Sequence, residues 1–257
     1  ICVTLEKSNE LMKKLLLTFV FLVTVLSVSA THILGGEMYI DKLTTLNTYK
    51  VTLLIYGDVS GIGLPSSFNV TTNIPGNASL VLNEDTSANQ FISLSCLYYN
   101  VEVKEYSTTF TISSAIPISG YELNWNSCCR TNSIDNLMNA GSAGFDITTK
   151  MFPGVQNTAR FLNPSNSAGV SGQNQYFNHS AFDPDPQDSI YISLVNPKQA
   201  SGNIAYNTNY SVTQPFGTNV PTSLNPNTGI LQVGSVSPGV YIVAFRVQSY
   251  ANGILTS

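Results

Sequence analysis

Charge is scarce in this chain. Asp, Glu, Lys and Arg make up only 10% of its 257 residues, and the formal net charge is −4. Lys and Arg form no basic patch, so nucleic acid is not an expected partner. Histidine is scarcer still: His32 and His179 are the only two. Two histidines cannot fill a zinc site without help, and neither sits in a context that marks a catalytic base. A glycine-rich phosphate loop, a Ser-His-Asp arrangement and a helical metal motif are all missing. Glu37, Glu122 and Asp146 occupy no context that marks the paired carboxylates of a glycosidase. Beyond residue 30 no apolar pattern of helical period is sustained. The best helical candidate is Ser133 to Ala140, one or two turns long.

The longest apolar run lies near the start. Lys13 and Lys14 precede Leu15 to Leu26, and Val28, Ser29 and Ala30 form a small-residue cleavage site. That is the pattern of a secretory signal peptide over residues 12–30, too short for the roughly 20 residues of a membrane span. Residues 1–11 read as upstream read-through before a start at Met12. The exported chain would begin near Thr31 with 8 basic and 13 acidic residues. An extracellular or cell-surface location is expected.

What the rest holds is alternation. Tyr49, Val51, Leu53 and Ile55 fall on one face of a strand, with Lys50, Thr52 and Tyr56 on the other. Further strands are expected at Glu37 to Leu43, Ser67 to Thr72, Ala78 to Asn83, Val101 to Tyr106, Thr108 to Ile112, and from Tyr121. Pro75-Gly76 marks a turn. Leu162 to Gln175 is rich in Ser, Asn and Gly and reads as a connection. A second set of strands follows, at Ser189 to Val195 and Gly239 to Tyr250. In the latter, Tyr241, Val243, Phe245 and Val247 make the core face. Asn225 to Gly229 is a turn between strands. The expected fold is all-β: two Ig-like or cadherin-like β-sandwiches in tandem, over 31–160 and 161–257. The second is read as truncated, with more of the same protein to follow.

Two groups of residues invite chemistry. Cys96, Cys128 and Cys129 remain after the leader, an odd count in a compartment where disulfides persist. Adjacent strand residues face opposite ways, and a ring joining neighbouring cysteines is set aside as strained. The expectation is one bridge, from Cys96 to Cys128 or Cys129, with the other member of the pair unpaired. A metal site or a nucleophile is the alternative. In the second group, Asp183, Asp185 and Asp188 crowd three carboxylates into six residues stiffened by Pro184 and Pro186. Hard oxygen ligands at that density suit calcium, although the glycine and terminal glutamate of an EF-hand are missing. An acidic turn without an ion is the plainer reading. At His32-Ile33-Leu34-Gly35-Gly36-Glu37, the glycines are expected to let one strand pass close to another. Glycosylation sequons begin at Asn69, Asn77, Asn178 and Asn209.

THILGGEMYI, TYKVTLLIYGD and GYELNWNSCCRTNSIDN, taken together, are similar to the N-terminal region of large secreted surface proteins of Bacteroidetes-type bacteria. Those proteins are associated with gliding motility and type IX secretion sorting. YFNHSAFDPDPQDSIYISL and LNPNTGIL resemble the cadherin-like or Ig-like module that follows in them. The resemblance covers nearly all of the chain after the leader, and Cys128-Cys129-Arg130 and the Asp-Pro-Asp turn are its most specific parts. Val59 stands where the resemblance implies a further cysteine, which would account for the odd count.

The resemblance implies a non-enzymatic surface module of a larger adhesin or motility-associated protein. Its expected partners are cell-surface glycans or proteins and the downstream domains of the same chain. The second reading is a carbohydrate-binding module of a secreted glycoside-active enzyme. Calcium is the one cofactor the sequence suggests.

Overall fold

The computed structural model describes residues 33–59, 63–94, 99–164 and 167–257. The expected leader, His32 and Cys96 lie outside the described residues. Those described are all-β, with antiparallel sheets, one 3-10 turn at Ala140–Ser142 and no α-helix. No helix among them is long and apolar enough to cross a membrane.

Eight strands between residues 33 and 151 form one sheet: β1 (Ile33–Lys42), β2 (Thr48–Asp58), β3 (Ser67–Thr72), β4 (Ser79–Glu84), β5 (Gln90–Leu94), β6 (Tyr99–Thr111), β7 (Tyr121–Ser127) and β8 (Phe145–Met151). Their order is β1-β2-β6-β4-β3-β7-β8, with β5 added to β6. The join between β4 and β6 is a corner of only two residue pairs, Asn83 with Ser107 and Glu84 with Tyr106. The sheet bends there, so β1, β2, β6 and β5 make one layer and β4, β3, β7 and β8 the other. The two far edges come back together, with β1 passing β8. Gly36 permits that approach. A Cβ there would stand 2.6 Å from the Leu54 carbonyl oxygen and 2.9 Å from Ile147 Cδ1. The sequence reading of the glycine pair as a close-approach point is met at Gly36.

Between the layers lies an apolar core. Alternation puts Val51, Leu53 and Ile55 of β2 inside without residual exposure, with Tyr49 beside them. Trp125 of β7 is 1% exposed and meets Phe68 edge-on at 5.2 Å, and Phe68 meets Tyr106 at 4.7 Å. Fully burying an aromatic of this size contributes on the order of 2–3 kcal/mol. The two strands expected at Val101 to Tyr106 and Thr108 to Ile112 are one. β6 runs unbroken because β2 pairs with it along its length, from Thr111 to Val101.

From residue 160 the strands are shorter: β9 (Arg160–Phe161), β10 (Gln175–Asn178), β11 (Ala181–Phe182), β12 (Asp188–Val195), β13 (Lys198–Gln199), β14 (Gly202–Asn203), β15 (Thr222–Leu224), β16 (Ile230–Val233), β17 (Ala244–Ala251) and β18 (Ile254–Leu255). They form the sheets β12-β17-β18, β10-β16-β15, β11-β9 and β13-β14. Tyr241 and Val243 precede β17 rather than extending it, and its inward face is Phe245, Val247 and the fully buried Ser249. Ser133 to Asn139 is not helical, and Ala140 only opens the 3-10 turn. The backbone groups of Ser133 to Asn139 bond outward to later segments of the chain, through isolated bridges from Ile134 to Val240 and Leu137 to Tyr206. Residues Thr31–Ser257 pack as one compact unit across the expected boundary at 160.

Candidate functional site

The segment after β7 shows how one stretch of sequence joins the two sets of strands. β7 ends at Ser127, so strand alternation no longer governs the next two residues. Cys128 and Cys129 are bridged to each other across a cis peptide bond. This corrects the expectation that the pair would seek separate partners and leave one thiol unpaired. Arg130 follows and is buried. Its backbone N–H donates to the Ala143 carbonyl, its Nε donates to the Gly144 carbonyl at 3.0 Å, and its guanidinium lies 3.8 Å over the Phe145 ring. Burial lowers the guanidinium to about 10. Asn136, without exposure, donates Nδ2 to the Pro215 and Ile242 carbonyls and accepts from the Ile242 N–H. These are structural duties.

The three aspartates do converge. One carboxylate oxygen from each of Asp183, Asp185 and Asp188 lies within 4.8 Å of the others. The turn that gathers them is local: the Asp185 N–H donates to Asp183 Oδ1 at 2.9 Å, and the Asp188 N–H donates to the Asp185 carbonyl at 3.0 Å. Distant segments then close over it. Asn157 donates both its backbone N–H and its Nδ2 to Asp185, Ser249 Oγ donates to Asp183, and Thr256 Oγ1 donates to Asp188 at 3.2 Å. Burial, with Asp185 and Asp188 alongside, raises the Asp183 carboxyl above its ordinary value. The donor set is of the hard-oxygen type that calcium takes, but calcium needs six to eight such ligands. The aspartates would supply three carboxylates, and Ser249 and Thr256 two hydroxyls. Hydrogen bonds from neutral donors already hold the cluster together.

A different surface lies on the opposite face of the same strands. In the β12–β17 pairing Ser189 lies opposite Tyr250, and Tyr191 opposite Gln248. Opposed residues share a face, so Tyr191 and Tyr250 are diagonal neighbours on the outward side. With Ile190 and Asn227 these residues line an open groove of about 400 Å³. It holds no charged side chain. A second groove of about 280 Å³ begins at the same Tyr191 and runs past Thr213, Thr222, Leu224 and Pro226. Sequence reading missed this face because its members come from three segments. The signal that could have found it is the Ser189-Tyr191 alternation beside Gln248 and Tyr250, polar-aromatic on the side facing away from Ile192.

Comparison with protein-family models, with curated proteins and with solved structures returned no match to this chain.

Proposed function

We propose that this chain is a non-enzymatic, extracellular module of a larger surface protein, serving adhesion or surface contact. The observation that carries the reading is the outward face of β12 and β17, where Tyr191 and Tyr250 flank Gln248, Ser189 and Asn227. Phenol rings offer flat apolar faces to the C–H side of a sugar, while amides and hydroxyls exchange hydrogen bonds with its hydroxyls. The side chains lining the groove are neutral, and Arg246 stands on the same outward face opposite Ser193, so neutral glycans and anionic ones are both worth probing. The resemblance of the sequence to large bacterial surface proteins supports the same location, as does the leader pattern. A tandem of Ig-like or cadherin-like modules is the corresponding architecture. Glycan recognition also suits the second reading, a carbohydrate-binding module beside a glycoside-active domain; the surrounding gene separates the two.

A glycan array probed with the purified protein tests the proposal. Binding to oligosaccharides is expected, about tenfold weaker in Tyr191→Ala and in Tyr250→Ala. Binding that ignores both substitutions would remove this face from the account. Cleavage of a bound glycan would replace the module by an enzyme.

A further inference from the structure

At one end of the eight-stranded sheet a lysine, a glutamate and an asparagine meet away from solvent. β4 ends at Glu84 and β5 begins at Gln90, and both pair with the same edge of β6: Glu84 opposite Tyr106 and Gln90 opposite Val103. The turn between them is closed by the Ser87 and Ala88 N–H groups donating to Asp85. One step beyond Gln90 and Val103 the register sets Asn89 opposite Lys104. Directly opposed residues hold their Cβ atoms about 4.5–5.5 Å apart. On its other edge Lys104 pairs with Ile55, a core residue, so its side chain lies on the core-facing side of β6.

The side chains meet at Glu84. Lys104 Nζ is 3.1 Å from Glu84 Oε1, and these side chains keep 13% and 12% exposure. Asn89 donates Nδ2 to the same Glu84 oxygen at 2.8 Å. Amine and amide therefore touch one carboxylate oxygen from two sides. The remaining amide atom, Asn89 Oδ1, is buried with no hydrogen-bond partner. A buried, unpartnered carbonyl is costly and calls for an explanation.

We propose that Lys104 and Asn89 form an intramolecular amide cross-link, with Glu84 carrying the protons. The Lys104 ammonium, which also faces Glu102 Oε1 at 3.6 Å, passes a proton to Glu84 only transiently, because hydrogen bonds from Asn89 and Lys104 hold the Glu84 carboxyl below its ordinary value. The freed Nζ attacks Asn89 Cγ, and a new C–N bond forms. Rotation of the amide presents Oδ1 to the protonated Glu84, which stabilises the charge that develops there. Glu84 then returns its proton to the departing nitrogen. The Cγ–Nδ2 bond breaks and ammonia leaves, taking up the second proton shed by Nζ as ammonium. Glu84 ends as the carboxylate it was. No oxidant or cofactor enters. Proximity supplies the rate: Lys104 and Asn89 both contact Glu84 Oε1, at a site where little water competes. The product fastens the start of β5 to the middle of β6 and closes the chain between residues 89 and 104 into a ring.

Mass decides the matter. The ends of the purified, folded protein are read by terminal sequencing, and its intact mass is measured after reduction. It is expected to be lighter than the sequence by one ammonia, with a digest yielding a branched peptide that joins Asn89 to Lys104. Glu84→Gln, if folded, should keep the full mass with both partners present, and so should Asn89→Ala. A wild-type protein of full sequence mass overturns the proposal and leaves Lys104 as a plain ion pair. An ammonia loss that survives in Asn89→Ala overturns it as well, since the loss then comes from elsewhere.

Discussion

His179 is one source of pH dependence in the second set of strands. Its ring is 5% exposed, lies 4.4 Å from the Phe245 ring and has Phe177 beyond. Burial lowers the imidazole from 6.5 to about 4. The unfolded chain thus takes up this proton first as pH falls. Stability from the neutral ring is whole above about pH 6.5 and is lost between about 6.5 and 4, up to roughly 3 kcal/mol. Glu37 and Asp183 work in the opposite sense, because burial raises both carboxyls; what they contribute is present at low pH and lost as pH rises through their raised values. Urea midpoints at pH 7 and pH 5 should therefore fall with acid in the wild type and much less in His179→Phe. An equal fall in both would place the sensitivity elsewhere. Little of this was legible beforehand, since the residues that bury His179 lie far along the chain. The same holds for Arg130. The sequence marked it beside the cysteine pair, but its partners, Gly144 and Lys198, are 14 and 68 residues away. The pairing of Cys128 with Cys129 was hidden for another reason: alternation holds inside a strand, and the strand stops one residue too soon.

Elements were far more legible than sites. β2 and β3 follow their expected bounds closely because a two-layer core imposes period two on every strand it covers. Turns were found too, but their sequence does not reveal what lies against them. Gly76 and Gly229 both take positive φ, +81° and +70°. A Cβ on Gly76 would meet nothing within 4 Å, whereas one on Gly229 would stand 2.4 Å from the His179 carbonyl oxygen. The left-handed backbone alone costs a non-glycine residue about 1 kcal/mol. Gly76→Ala should lose about that much. Gly229→Ala adds a backbone collision that shifts the β10–β16 pairing, and should lose roughly 2–4 kcal/mol. Thermal or urea unfolding of the two variants checks the ordering, and equal losses would mean that the turn at Gly229 yields without disturbing His179.

For the whole molecule the open matter is how the eight-stranded sheet and the smaller sheets are coupled. Composition suggested a break at Leu162 to Gln175, and no strand begins there before Gln175 among the described residues. The packing nevertheless crosses it repeatedly. Asn136 donates Nδ2 to the Pro215 and Ile242 carbonyls, Arg130 donates to the Lys198 carbonyl, and Asn157 donates Nδ2 to Asp185. The Phe152 N–H donates to the Thr256 carbonyl. These groups are charged or amide-bearing and partly or wholly buried, so separating the halves would strand them unpaired, at about 1–3 kcal/mol each. A single cooperative thermal transition is expected, and two resolved transitions would restore independent domains. The aspartate cluster sits on this seam, tying the turn at Asn157 to the 183–188 turn and to Thr256. An ion bound there would brace the seam from one end. If calcium binds, saturating it a hundredfold above its dissociation constant adds about 2.7 kcal/mol. For a unit of this size that raises Tm by roughly 5–10 °C. Chelator should reverse the rise, and Asp183→Asn should abolish the difference. A Tm that ignores both calcium and chelator would leave the cluster as Ser249, Thr256 and Asn157 already hold it, by hydrogen bonds from neutral donors alone.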